Sequence, residues 1–531
     1  MTTLPASPEP VGPGRFRADV AIIGAGVAGL YAAVELPDDL DVVVVDKGTH
    51  GRSGSSPWAQ GGMAVALGPD DTPDLHVADT LQAGAGLGDR AAAWVLATEA
   101  PARTAHLLRL GARFDRLPDR PDSADVADLH LAREGDQSVA RSVHTADATG
   151  AEMVRVLRDV VRPRVRRLAG TAAALAREDD GPVAGVWIVT PDGELVLLEA
   201  RAVLLATGGC GGLFAATTNQ DAATGDGVAL AYLAGAAVRD LEFVQFHPTG
   251  LAVEGPWRFL LTEALRGAGA TLHADDGTRF LVGVHPDAEL APRHVVARAI
   301  LAQPEGRAWL DATALGTELL EHEFPTVLHG ARRYGFDLAT ERVPVTPAAH
   351  YMVGGVRSDV WARTSLPGLY AAGEVASTGL HGANRMAGNS LAEALVFGGR
   401  AAQAIAGELP DQAPPGPPPP HRDIELHLAR DDLRMRLRTD MWRGAGPIRT
   451  GTGLARLGEK LEALRTTLGM DGDVPTATDP ALVELRLAVT AADLIRASAV
   501  VRTESRGGHV RDDHPTANPA WADVHLDRIR S

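Results

Sequence analysis

Apolar positions come in short blocks separated by glycine or acidic residues. The first is Asp19-Val-Ala-Ile-Ile23, too short for a helix and β-branched, which predicts a buried strand. A glycine-rich turn follows, then a helical stretch from about Val27 to Leu36, ended by Pro37 and Asp38-Asp39. Asp41-Val-Val-Val-Val45 is the next buried strand, closing at Asp46. Such a βαβ unit opens a doubly wound sheet. Ala202-Val-Leu-Leu-Ala206, running into Thr207-Gly208-Gly209, and Gly368-Leu-Tyr-Ala-Ala372, running into Gly373-Glu374, repeat the strand-then-glycine form. That form lets backbone approach a ligand at the carboxyl ends of a sheet. Different material lies between them. The expected organisation is one nucleotide-binding domain, 18–243 and 347–408, interrupted by an inserted domain at 244–346.

Residues 410–420 hold seven prolines in eleven positions and predict a stiff extended linker at 409–420. Beyond it, Leu482, Leu485, Val489 and Ala492 recur at helical steps, and Ile424, Leu428, Met435 and Met441 do so more loosely. Residues 421–531 therefore predict a helical bundle. A helical run from Val295 to Leu301 is expected in the inserted domain, and a strand from Leu241 to Phe246, ended by His247-Pro248, runs into it.

The turn after the first strand is Gly24-Ala-Gly26-Val-Ala-Gly29, in strand–turn–helix context. The first glycine permits the turn, the second lets backbone reach a pyrophosphate, and the third lets helix and strand pack closely. Asp46 stands where an acid accepts from a ribose hydroxyl. The pattern predicts dinucleotide binding; NAD and FAD remain open on it alone. Ser53-Gly-Ser-Ser-Pro-Trp-Ala-Gln-Gly-Gly62 adds a loop rich in backbone donors that suits a large cofactor.

Composition narrows the field. With 51 Lys and Arg against 68 Asp and Glu, the net charge is −17, and a phosphate backbone would repel the chain, so no nucleic-acid partner is expected. The single cysteine, Cys210, excludes an intrachain disulfide and a Cys-ligated iron–sulfur cluster. The longest nearly apolar run, Val20 to Val34, is 15 residues, short of the roughly 18–20 a membrane span needs. No signal peptide is visible. A soluble cytoplasmic protein is expected, with no metal.

The motifs GAGVAG, SPWAQGG, HLAREGDQS, QFHPTG, LLTEALRG, LAPRHVVARAI, PAAHYMVGG and GEVASTGLHGANRMAGNSL occur in this order. Through them the chain resembles the succinate dehydrogenase/fumarate reductase flavoprotein superfamily, and within it the L-aspartate oxidase family. The resemblance implies an α/β fold: a Rossmann-like FAD-binding domain, an inserted α+β capping domain and a C-terminal helical bundle. It implies FAD contacts from Gly24, Ala25, Gly26, Val27, Ala28 and Gly29, then from Asp46 and Lys47. Ser55, Ser56, Ala59, Gln60, Gly61 and Gly62 would line the flavin loop, with Asp226, Glu374, Ser390 and Leu391 completing the set. Membrane-linked succinate oxidisers carry a flavin-linked histidine five residues before the Gln of AQGG. Ser55 stands there, so non-covalent FAD is expected.

The same resemblance gathers His247, Thr262, Glu263, Arg293, His350 and Arg385 around one C4 dicarboxylate. Alone, each has a bland reading: a histidine before a turn, a helix cap with its acid, a surface arginine, a core histidine, a loop anchor. Together they make sense chemically. Arg385 offers a planar fork to a carboxylate, and His247, Thr262 and His350 offer further donors. Arg293 corresponds to the family's proton-transfer arginine, although its place at a helix start opposes the dipole. Glu134 corresponds to the acid that orients a substrate ammonium. Asp136-Gln137-Ser138 departs from the family's Gly-His-Ser. The implied reaction is FAD-dependent oxidation of L-aspartate to iminoaspartate, with O2 (giving H2O2) or fumarate as acceptor. It is the first step of quinolinate and NAD biosynthesis, with quinolinate synthase downstream. The alternatives are a soluble fumarate reductase or succinate dehydrogenase flavoprotein, and a flavoprotein subunit of a larger electron-transfer complex.

Overall fold

A computed structural model describes residues 10–12, 14–48, 54–255, 257–426, 428–470, 472 and 474–530. Ser53 of the expected flavin loop lies outside them.

The first βαβ unit forms as its pattern predicts: β1 (Arg15–Ile23), α1 (Val27–Glu35) and β2 (Val42–Asp46). Strands β3 (Arg166–Ala169), β4 (Thr171–Arg177), β5 (Val183–Val189) and β6 (Leu195–Leu205) join them in the order β3-β2-β1-β6-β5-β4. Strand Leu369–Ala371 adds to β6 in parallel. Ile23 lies opposite both Val45 and Leu205, and Leu205 opposite Ala371. This register brings the glycine turns after three strands to one edge of the sheet. Alternation splits the strands between two cores. Val20, Ile22, Val42 and Val44 pack with Leu30 and Tyr31 of α1, while Ala21, Ile23, Val43 and Val45 face the C-terminal helices.

The inserted domain has its own four-stranded antiparallel sheet, built from β7 (Val244–Leu251), β8 (Thr271–His273), β9 (Ala308–Asp311) and β10 (Val343–Met352) in the order β7-β10-β9-β8. Helices α2 (Glu263–Gly267), α3 (Arg293–Leu301) and α4 (Pro325–Arg333) accompany it. Its core is separate, around Leu261, Val296, Ile300, Val327 and Val345. The boundary drawn at 346 falls inside β10. The strand expected over Leu241–Phe246 lies later: the chain turns at Asp240, whose φ is +56°, and β7 runs from Val244 through His247 to Leu251. The ladder is irregular between His247 and Gly250, where Pro248, having no N–H to give, can sit within the strand.

Helices α5 (Asn389–Glu408), α6 (Arg430–Ala445), α7 (Gly451–Thr467) and α8 (Pro480–Val501) complete the chain. Leu482, Leu485, Val489 and Ala492 are all buried. The looser stripe is a misreading. Ile424 and Leu428 precede α6, Leu428 and Met435 are exposed, and the buried face is Leu433, Leu437 and Met441 at steps of four. Residues 411–420 form no helix or strand, as their prolines require. The C-terminal segment is not all helical: Asp527–Arg528 returns as a strand beside Val238–Arg239.

Candidate active site

The aligned strand ends open into one cleft between the Rossmann-like domain and the cap. All seven expected substrate-side residues line it, as do all expected cofactor-side residues but one. The exception is Gly29, which acts through packing: a Cβ there would stand 2.2 Å from the Gly24 carbonyl oxygen. Gly24 itself has φ +112°, and a Cβ would collide with the Ala206 carbonyl.

At the cofactor end, α1 begins at Gly26 with no side-chain cap. Such a start leaves N–H groups for an anion. The Val27 N–H is already met by Ser56 Oγ at 3.2 Å. Asp46 Oδ1 accepts the Gly48 N–H at 3.1 Å. Lys47 Nζ reaches Asp226 at 3.0 Å, Thr224 at 3.0 Å and Glu484 of α8 at 2.8 Å. Burial opposes its charge, but the two carboxylates outweigh burial and raise its pKa. Glu374 accepts the Met352 N–H at 2.9 Å, and burial pushes its pKa up to about 7. Gln60 Oε1, Thr207 Oγ1 and Asn219 Oδ1 are buried cleft atoms with no hydrogen-bond partner among the described residues. Unpaired buried polar atoms are costly, so this cradle suits a long ligand carrying polar groups along its length.

At the other end, Arg385 is buried with its guanidinium 4.9 Å from the Tyr351 ring centroid. Nη1 donates to the Met386 carbonyl and to Ser390 Oγ, each at 3.3 Å, while Nε has no partner. Among the described residues no carboxylate pairs with it. Burial, with Arg293 adding, lowers its pKa to about 10, so it stays charged at neutral pH. Arg293 is held differently: Nε donates to Glu263 at 2.7 Å and Nη1 to Gln245 Oε1 at 2.9 Å. Glu263 also pairs with Arg266 at 3.3 Å. Burial raises the Glu263 pKa, but Arg293 and Arg266 overcome it and hold it below the usual range. Thr262 both lines the cleft and caps α2 through Ala264 N.

His247 Nδ1 accepts the Thr249 N–H at 3.2 Å, so the neutral ring carries its proton on Nε2. His350 Nδ1 meets Thr218 Oγ1 at 2.8 Å, and the two rings lie 5.0 Å apart. Burial first, then Arg293 and other cations, keeps both pKa values well below 6.5. Both shifts favour the neutral imidazole. Glu134 is buried, and its Oε1 accepts the Gly62 N–H at 2.7 Å. Its Oε2 has no hydrogen-bond partner among the described residues and lies over Gly61, 3.2 Å from where a Cβ would be. Burial raises its pKa, as does Glu263, against the Gly62 N–H, Arg293 and Arg385.

Sequence reasoning missed Gln245 and Tyr351. Gln245 donates to Asn384 Oδ1 at 2.9 Å and to the Arg385 carbonyl at 2.8 Å while accepting from Arg293. Its position two residues before His247 on one strand was a usable signal, because such residues share a face. Tyr351 gave none.

Residues 19–391 match the FAD binding domain family, and residues 434–527 match the fumarate reductase flavoprotein C-term family. The L-aspartate oxidase of Streptomyces coelicolor is 44% identical over 526 residues, 94% of this chain and 89% of that protein. The L-aspartate oxidase of Caulobacter vibrioides is 45% identical over 506 residues, 94% of each. The solved structure of E. coli quinol fumarate reductase FrdA superposes with a TM-score of 0.86 at 28% identity, over 98% of this chain and 97% of that one. Fold and cleft thus define a FAD-dependent flavoprotein of the succinate dehydrogenase/fumarate reductase superfamily. Within it, the chain belongs to the L-aspartate oxidase family. Its cofactor is FAD, which the cradle fits.

Proposed function

We propose that this chain oxidises L-aspartate to iminoaspartate as the first step of quinolinate and NAD biosynthesis. It would work in the cytoplasm, with quinolinate synthase taking the product. Among the described residues no helix is long and apolar enough to cross a membrane. Bound FAD supplies a two-electron acceptor for hydride from the substrate Cα, with O2 or fumarate taking the electrons onward.

The chain's own residues bind and orient. Arg385, without a carboxylate of its own, takes one substrate carboxylate. His247 Nε2–H and the His350 ring, both neutral, serve the second carboxylate without adding charge. Arg293, fixed between Glu263 and Gln245, is the cation beside the reacting carbons. In this reading it holds charge or passes a proton with Glu263, since a guanidinium alone deprotonates poorly. The observation that carries the choice of aspartate is Glu134. A buried carboxylate with one oxygen tied to Gly62 and the other facing the cleft is an ammonium site. A fumarate reductase or succinate dehydrogenase flavoprotein has no such group to bind.

Anaerobic mixing of the holoenzyme with aspartate, then with succinate, tests the reading. Aspartate should bleach the flavin and succinate should not. The reverse order of reactivity would overturn it. Arg385→Leu should lose aspartate turnover and fumarate reduction alike, because both ligands carry the carboxylate.

A further inference from the structure

Gln137 is 3% exposed and does not line the cleft, yet all of its side-chain hydrogen-bonding atoms are engaged. The Glu134 N–H meets one side-chain atom at 3.0 Å. A backbone N–H only donates, so that atom is the oxygen and the amide orientation is fixed. Nε2 then donates to Ser142 Oγ at 2.9 Å and to the Ala387 carbonyl at 3.2 Å. Ala387 is two residues from Arg385, and the intervening Met386 carbonyl accepts from Arg385 Nη1. Ser142 backs the flavin loop: a Cβ on Gly62 would stand 2.7 Å from the Ser142 Cβ.

We propose that Gln137 is a positioning residue that sets Glu134 against Arg385 and so fixes the ammonium-to-carboxylate spacing of the substrate. The inference rests on the reading of Glu134 as the ammonium site. The place demands one acceptor and two donors, which glutamine supplies. An imidazole supplies one of each, and a thioether supplies no donor. The two arms depend on it unequally. Arg385 is held independently by Ser390, Met386, the Tyr351 ring and the Gln245 bond to its carbonyl. The Glu134 N–H has Gln137 alone. Loss of the strut therefore moves Glu134 and leaves Arg385 in place. Ligands with an ammonium weaken, and dicarboxylates without one do not.

The test uses holoenzyme and four variants: Gln137→Met, Gln137→His, Glu134→Gln and the double Gln137→Met/Glu134→Gln. Gln137→Met should raise the KM for aspartate about 10-fold, the scale of losing the hydrogen bond that holds the Glu134 N–H. It should leave kcat and the inhibition constant of succinate within about 3-fold. Gln137→His, keeping the acceptor and one donor, should recover most of the loss. In the Glu134→Gln background the Met change should add less than about 2-fold, since a residue acting through Glu134 has nothing left to position. Equal losses for aspartate and succinate, or full additivity in the double variant, would make Gln137 merely structural and overturn the proposal. If Gln137→Met does not fold, Gln137→His decides by the same aspartate-to-succinate comparison. There, a modest rise for aspartate alone supports the proposal, and an equal rise for both ligands overturns it. A Glu134→Gln enzyme with wild-type aspartate KM would sink the ammonium reading itself. A shifted Glu134→Gln with unshifted Gln137→Met would sink only the strut.

Discussion

Arg293 and Glu263 open two different cap helices and pair across them, Nε to carboxylate at 2.7 Å, with neither side chain more than 5% exposed. Each helix start alone looks ordinary or even unfavourable: a cation at the head of α3, an acid in the first turn of α2. The pair explains both, because the acid serves Arg293 and Arg266 at once. Glu263→Gln should leave two buried guanidinium groups short of a counter-charge. We expect a loss of about 3 kcal/mol in urea unfolding of the holoenzyme, in line with breaking a buried pair from one side, and at least about 100-fold in kcat/KM. Unchanged stability would show that water or the cleft already compensates Arg293.

The histidines give a pH test. Burial and nearby cations hold the pKa of His247 and of His350 well below 6.5, so neither ring changes charge between pH 6 and 8. An acid limb in kcat/KM for aspartate over that range must come from elsewhere. It should survive in both His247→Gln and His350→Gln at reduced overall rate. Disappearance of a limb near pH 6.5 in one variant would mean that this imidazole is protonated in the working enzyme.

How much of this was legible beforehand follows from which interactions are local. The βαβ turn was readable because a Gly24 at φ +112° and an anion-ready helix start are properties of a short stretch. The gathering of Glu134, Arg293 and Arg385 was not a property of spacing. It depended on motifs resembling a known family, and the structure brings them into one cleft. The stripe over Ile424–Met441 failed because apolar residues at loose intervals do not define a face without the helix boundary, which lies at Arg430. Gln137 looked like a departure from a pattern. Only the fold shows that its amide spans two loops 250 residues apart.

Ser55 precedes the short turn Ser56–Trp58 and lines the cleft where a flavin-linking histidine would stand. A serine hydroxyl is a poor partner for such a bond, and the lone cysteine, Cys210, is fully buried with its thiol pKa raised by burial. All flavin should therefore leave the polypeptide in acid or mild denaturant, with none fluorescing on the denatured band. Flavin retained on the denatured chain would contradict non-covalent binding.

The cap is fastened to the Rossmann-like domain by Asp147. Its carboxylate accepts the Thr326 N–H at 2.9 Å and the Val327 N–H at 2.6 Å, capping α4 from the other domain. The segment presenting it is tied to Asp115, which pairs with His144 at 3.0 Å and accepts the Ala146 N–H at 2.5 Å. His247, Thr262 and Arg293 sit on the cap, while Glu134 and Arg385 sit across the cleft, so opening this seam separates the two halves of the site. An N-cap contact is worth about 1 kcal/mol, within a range of roughly 0.5–2. Asp147→Ala should therefore raise the open population about 5-fold. The cap should become more sensitive to protease, and a saturating dicarboxylate should restore protection by binding only the closed form. Burial raises the Asp147 pKa against the pull of both N–H groups. The opened, hydrated carboxylate returns to the ordinary range, so a proton binds Asp147 more tightly when the cap is closed than when it is open. Mild acid should therefore tighten the wild-type cap relative to that of Asp147→Ala, which has no carboxylate to protonate. Equal acid sensitivity in both, with identical scattering profiles with and without ligand, would mean that the cap is held by its other contacts.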